Sequence, residues 1–226
     1  MKQKGFLHVL FDGMTAFILF LFILSFSVTF TLNFRPLYYM DIEHLDIEWE
    51  SGIPKDEIRE NYDVLIDYNS MFTDEELEFP TLAMSETGKI HFEEVKVIFV
   101  LFQKMALVTA ILGFWLIFAQ KKRRGGRYLK YTGIITIVIP TLLGTLIAMN
   151  WDKAFVLFHR IAFDNDYWIF DPETDPVITI LPDAFFLHCA LMIIGLVVAG
   201  SVFCFVLYAR FARKHCADQN ELAKNE

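Results

Sequence analysis

Thiols are scarce in this chain. Its three cysteines, Cys189, Cys204 and Cys216, all fall in or after the last apolar run, and none has a CxxC partner. A disulfide framework is therefore not indicated, and neither is a thiol nucleophile. No GxSxG elbow supports a serine hydrolase, no HExxH pattern sets two histidines on one helical face, and no nucleic-acid motif occurs. Charge is absent over long stretches. The 226 residues are 55% hydrophobic with 24 phenylalanines, and four runs of about twenty residues carry little or no charge. A soluble domain rarely looks like this, so the chain reads as a polytopic helical membrane protein.

The expected fold is all-α, with four transmembrane helices and a small extracellular α+β cap. The first span covers 13–34, between Asp12 and Arg35. Bulky Leu32 and Phe34 stand where a signal peptide would need small cleavage-site residues, which favours an uncleaved span. The others are 95–119 (its apolar part beginning at Val97), 131–149, kinked by Pro140, and 184–209. The segment 120–130 carries six basic residues and no acid, and the tail 210–226 opens with Arg210, Arg213 and Lys214. Loops 35–94 and 150–183 hold 17 and 7 acidic residues against 4 and 2 basic ones. Positive charge marks the cytoplasmic side, so both termini, Lys2 and Lys4 included, are expected inside and both large loops outside.

In the first outer loop, Leu45–Trp49 alternates apolar and acidic as a half-exposed strand does. Lys55–Tyr68 places Ile58, Tyr62 and Leu65 on one helical face. Thr87-Gly88 reads as a turn, followed by a helix with Glu93 and Glu94 in its first turn. In the second, 151–163 (WDKAFVLFHRIAF) is too apolar for an exposed loop and too charged for a span, as expected of a segment lying at the membrane surface. Three prolines punctuate 164–182, which suggests an extended path.

Two histidines stand out. His91 lies about one helical turn before the second span, at the depth of a lipid's ester carbonyl. His159 sits at headgroup depth on the same expected face. Either alone reads as a surface histidine; together they form a constellation. His8 and His215 fall on the cytoplasmic side, His44 in the acidic cap, and His188 is a third candidate or an interhelical hydrogen-bonding group. Lys96 and Lys104 share one face of the second span with Gln103 adjacent, Lys96 suited to snorkelling and Lys104 to a bundle interior or polar cavity. A metal site built from His91, His159, Glu93, Glu94, Asp164 and Asp166 is the sharp alternative, without a known ligand spacing to support it.

The signatures SETGKIHFEEVK and FHRIAFDNDYWIFDPETDPVITILPDAFF, each leading into a span, resemble the bacterial lipoprotein intramolecular transacylase family. The likeness runs over nearly the whole chain, the cap segment IRENYDVLIDYNSMF included. It implies an acyltransferase of the Gram-positive plasma membrane, its site on the outer face. The implied partners are membrane lipid and the diacylglyceryl-modified N-terminal cysteine of a lipoprotein, with no nucleic acid. The enzyme would move the sn-2 acyl chain from its ester to the free α-amine, giving a lyso-form lipoprotein. The family's two essential histidines correspond to His91 and His159. Lys96, Arg160 and Asn165 are candidate donors to the developing oxyanion. No cofactor or metal is expected. The competing class is a non-catalytic four-span accessory protein whose cap binds a partner.

Overall fold

The structure, a computed structural model, describes residues 2–120 and 126–224, with side chains for all of these except 2–7, 146, 148 and 215–224. Most of the basic cluster in 120–130, together with the side chains of Lys2, Lys4, His215 and Cys216, lies outside the described set. The described residues form nine helices and no strand. Four contain stretches long and apolar enough to cross a membrane: His8–Asn33 in α1 (Lys2–Asn33), Glu86–Ala119 as α5, Arg127–Thr145 in α6 (Arg127–Met149) and Asp183–Lys214 in α9 (Asp183–Lys224). The four-span, all-α expectation holds.

The chain divides into two compact units. The first joins 1–27, 105–144 and 194–226, segments of those four long helices. Small residues let the helices approach closely. A Cβ on Gly133 would lie 2.9 Å from the Phe205 ring, and one on Gly200 2.7 Å from Ile23 Cγ2. Polar groups are paired across helices. Ser201 Oγ donates to the Gly133 carbonyl at 2.7 Å, Gln120 Nε2 donates to Thr15 Oγ1 at 2.7 Å, and buried Asp12 lies 3.4 Å from Arg127. Unpaired, each would be costly in an apolar setting.

The second unit, 28–104 and 145–193, holds the shorter helices: α2 (Arg35–His44), α3 (Ile47–Ser51), α4 (Lys55–Tyr68), α7 (Trp151–Ala162) and α8 (Val177–Ile180), with the beginnings of α5 and α9. Its core is aromatic. The Tyr38 ring stacks on Tyr62 at 3.7 Å and meets Phe185 edge-on, and its hydroxyl donates to the Ile180 carbonyl at 2.6 Å. Ile58, Tyr62 and Leu65, the apolar face of α4, are all buried there.

The α+β cap is corrected, because the predicted strand Leu45–Trp49 is absent. Extended backbone would set Ile47 and Trp49 on one face, yet Ile47 is 1% exposed and Trp49 84%. Asp46 adopts a left-handed conformation (φ 50°) that breaks the extended path, and Gly52 (φ 69°) closes α3. The expected turn at Thr87-Gly88 is likewise helical. α5 begins at Glu86, so His91 stands within the helix rather than ahead of it. The stretch 164–182 is not uniformly extended either, since turns follow residue 163 and α8 forms after Pro176.

Candidate active site

The start of α5 is fixed by two devices. Ser85 Oγ accepts from Gly88 N–H at 3.0 Å, a side-chain N-cap, and Ser85 N–H donates to Asp175 Oδ1 at 2.7 Å. A Cβ on Gly88 would come within 2.3 Å of that same carboxylate oxygen and 3.2 Å of Phe170 Cε1. Glycine is thus what lets the loop after α7 lie against the first turn of α5. This turn sets the rotation of the helix, and hence of His91.

α7 is begun by Asn150, whose side chain accepts from Lys153 N–H at 2.9 Å. The helix is amphipathic. Leu157, Phe158 and Ile161 are exposed, while His159 faces inward at 9% exposure. His159 Nδ1 lies 2.8 Å from the Phe155 carbonyl, an acceptor only, so that nitrogen carries the proton and Nε2 presents its lone pair. Burial pushes the His159 imidazole below the usual histidine range, partly opposed by this hydrogen bond.

The two imidazoles meet. Their ring centroids are 6.2 Å apart with planes inclined at 32°, and His91 is 5% exposed. An aromatic lining holds both. Phe163 and Phe170 meet His91 edge-on at 4.8 and 5.4 Å, while Trp168 stacks on His159 at 4.6 Å and Phe155 approaches it at 4.2 Å. His91 Nδ1 and Trp168 Nε1 are both enclosed without a hydrogen-bond partner. Such a setting brings two imidazoles and an unpartnered indole N–H together in a largely buried aromatic surround, groups suited to proton transfer and oxyanion stabilisation.

The model of the family described as lipoprotein intramolecular transacylase Lit matches residues 13–186. The chain belongs to that family. A solved structure of the membrane-integral transacylase from Bacillus cereus superposes with a TM-score of 0.91 at 38% identity, covering 94% of this chain and 99% of that one. Two further Bacillus cereus structures carry a histidine replaced by arginine or by alanine. Both give a TM-score of 0.88 at 36% identity and cover 96% of this chain, with 97% and 98% of theirs. No curated protein matches the chain. This is therefore a membrane-integral acyltransferase, a lipoprotein intramolecular transacylase.

The remaining sequence candidates of the transacylase are placed less centrally. Lys96 Nζ donates to the Thr73 carbonyl at 2.7 Å and lies 4.1 Å over the Tyr68 ring. Arg160 is exposed on α7. Asn165 gives its amide to Glu94 Oε1 at 2.8 Å and accepts Tyr167 N–H at 3.0 Å. Lys104 is exposed, and the buried neighbour Gln103 instead bonds the Asn69 carbonyl and Met71 N–H. His188 is committed to Asp41, with Nδ1 2.9 Å from both carboxylate oxygens. Among the described residues no three His, Cys, Asp or Glu side chains are grouped to hold a metal. Sequence reasoning missed Trp168, Phe163 and Phe170, because an aromatic outside a helix carries no periodicity to mark it, and Phe155 was one of several apolar residues on α7. The capping Ser85 could have been found from the Ser-Glu-Thr-Gly that precedes the apolar run.

Proposed function

We propose that this transacylase moves the sn-2 acyl chain of an S-diacylglyceryl cysteine to the α-amine of the same residue, leaving a lyso-form lipoprotein. The supporting observation is the convergence of two imidazoles, one from α5 and one from α7, inside an aromatic enclosure. Amine and ester belong to one molecule, so no acyl-carrying serine or cysteine is needed. The ring closed on attack runs through amine, Cα, Cβ, sulfur, two glyceryl carbons, ester oxygen and carbonyl carbon. Holding it closed supplies the proximity advantage.

Two protons leave the ammonium in turn, and the two histidines divide them. His91 takes the first, which passes on to water, freeing the amine to attack the carbonyl carbon. His159, neutral with Nε2 open, takes the second from the tetrahedral adduct and returns it to the departing glyceryl oxygen as the C–O bond breaks. The products are one amide, one alcohol and one released proton. Trp168 N–H serves as donor to the oxyanion, in preference to Lys96 and Arg160, whose positions direct them elsewhere.

The exposed apolar side of α7 suits a helix lying in the membrane interface, which supports a depth for His159 near that of glyceryl esters. The basic 120–130 segment and tail argue for both termini in the cytoplasm and the site on the outer face of the plasma membrane. The test is mass spectrometry of a diacylglyceryl lipoprotein co-expressed with the chain. Wild type yields the N-acylated lyso product, and His91→Ala and His159→Ala yield none while remaining in the membrane.

A further inference from the structure

Glu94 stands three residues after His91 on α5, so the two side chains share a face of the helix, with Cβ atoms about 5–6 Å apart. One carboxylate oxygen is held: Asn165, its amide oriented by the Tyr167 N–H, donates to Oε1 at 2.8 Å. The other, Oε2, is enclosed and has no hydrogen-bond partner. An ionised carboxylate can only accept, and leaving one oxygen both dry and unpaired is costly. Among the described residues no lysine, arginine or histidine pairs with Glu94. Lys96 is spent on Thr73 and Tyr68, Lys89 on Glu76, and Arg160 is exposed.

We infer that Glu94 receives the α-ammonium group of the lipoprotein's N-terminal cysteine, an inference that rests on the acyl-transfer reading above. An α-amine with a pKa near ~8 arrives mostly as the cation at neutral pH. It carries N–H donors for the enclosed Oε2 and a charge opposite to that of the half-buried carboxylate. Bound there, the ammonium lies on the same helical face as His91, the acceptor of its first proton. The same contact separates substrate from product. Acylation turns the ammonium into an amide without charge, so the grip of Glu94 is lost when the reaction is complete, and the lyso product is released. An already N-acylated lipoprotein is rejected for the same reason.

The experiment compares two unreactive dialkyl-ether analogues of an S-glyceryl cysteinyl peptide, one with a free amine and one N-acetylated, binding to the full chain in lipid nanodiscs. Wild type is expected to favour the free amine by roughly tenfold or more, the strength of a hydrogen bond to a charged group. Glu94→Gln keeps the shape and the acceptor for Asn165; it should lose that preference while binding the acetylated analogue as wild type does. Glu94→Asp, which keeps the charge, should retain part of it. Equal affinities in wild type, binding of neither analogue, or a preference that survives in Glu94→Gln each overturn the assignment. If Glu94→Gln does not fold, the wild-type comparison and Glu94→Asp decide. Turnover of the ester-linked lipoprotein is followed alongside. Its absence in wild type overturns the acyl-transfer reading, whereas turnover without amine preference overturns the role of Glu94 alone.

Discussion

Replacing Gly88 by alanine tests the packing that aims His91. The added methyl would sit 2.3 Å from Asp175 Oδ1, and an ordinary contact, 3.4 Å or more, requires the carboxylate to retreat by over an ångström. Asp175 is 3% exposed and its other oxygen is held by Thr174 Oγ1 at 2.8 Å, so it cannot simply swing into solvent. The bond it accepts from Ser85 N–H, now 2.7 Å, is lost. A hydrogen bond to a charged acceptor is worth about 1.5–3 kcal/mol. Alanine recovers up to about 1 kcal/mol of helix propensity. The net expectation is a destabilisation of about 1–2 kcal/mol, a few degrees in Tm for a chain of this length, read by thermal unfolding in detergent. The 3.2 Å contact to Phe170 adds a displacement beside His91, and transacylation should fall roughly tenfold or more. In an Asp175→Ala background the obstructing oxygen is gone and only the Phe170 contact remains, so the same substitution should cost clearly less. Wild-type Tm and rate for Gly88→Ala, or an equal cost in both backgrounds, would refute the reasoning.

Trp168→Phe keeps an aromatic face on His159 but removes the unpartnered N–H. It should lower kcat by roughly a hundredfold with little change in KM, and a normal kcat would remove this donor from the mechanism. Burial lowers the folded-state pKa of His159, so the unfolded chain binds this proton more readily than the folded one. His159 therefore makes the protein less stable as pH falls below the unfolded value of ~6.5. Between pH 7.5 and 5.5, wild type should lose more Tm than His159→Gln; equal losses would contradict a buried neutral ring. Reporter fusions after Gly52 and Gly125 should report opposite compartments, outside and inside respectively, and a shared compartment would sink the orientation.

Much of this was readable from residue order because lipid imposes simple rules. Four uncharged runs become four long helices, since the hydrocarbon leaves backbone groups no partner but each other. The Ile58, Tyr62, Leu65 spacing likewise forecasts α4. Local patterns misled where tertiary contact decides. Leu45–Trp49 alternates like a strand, but Ile47 is drawn into the core and Trp49 turned out through the left-handed Asp46. Thr87-Gly88 looks like a turn because the glycine's reason, a carboxylate 87 positions along the chain, cannot be seen locally. His91 and His159 were singled out by expected depth and by the family resemblance, and their rings lie 6.2 Å apart. Trp168 was not, and Glu94 and Asn165, named only as a possible metal ligand and a candidate oxyanion donor, gain their contact once the segment after α7 folds back on α5.

The central claim is that the His91 and His159 rings jointly manage the protons of an acyl shift within one lipopeptide. The direct measurement is single-turnover conversion of a purified diacylglyceryl lipopeptide by wild type, His91→Ala and His159→Ala in nanodiscs, with products resolved by tandem mass spectrometry. The account predicts an N-acyl, S-monoacylglyceryl product of unchanged mass from wild type and none above background from either variant. The same product formed at a wild-type rate by either variant would contradict it.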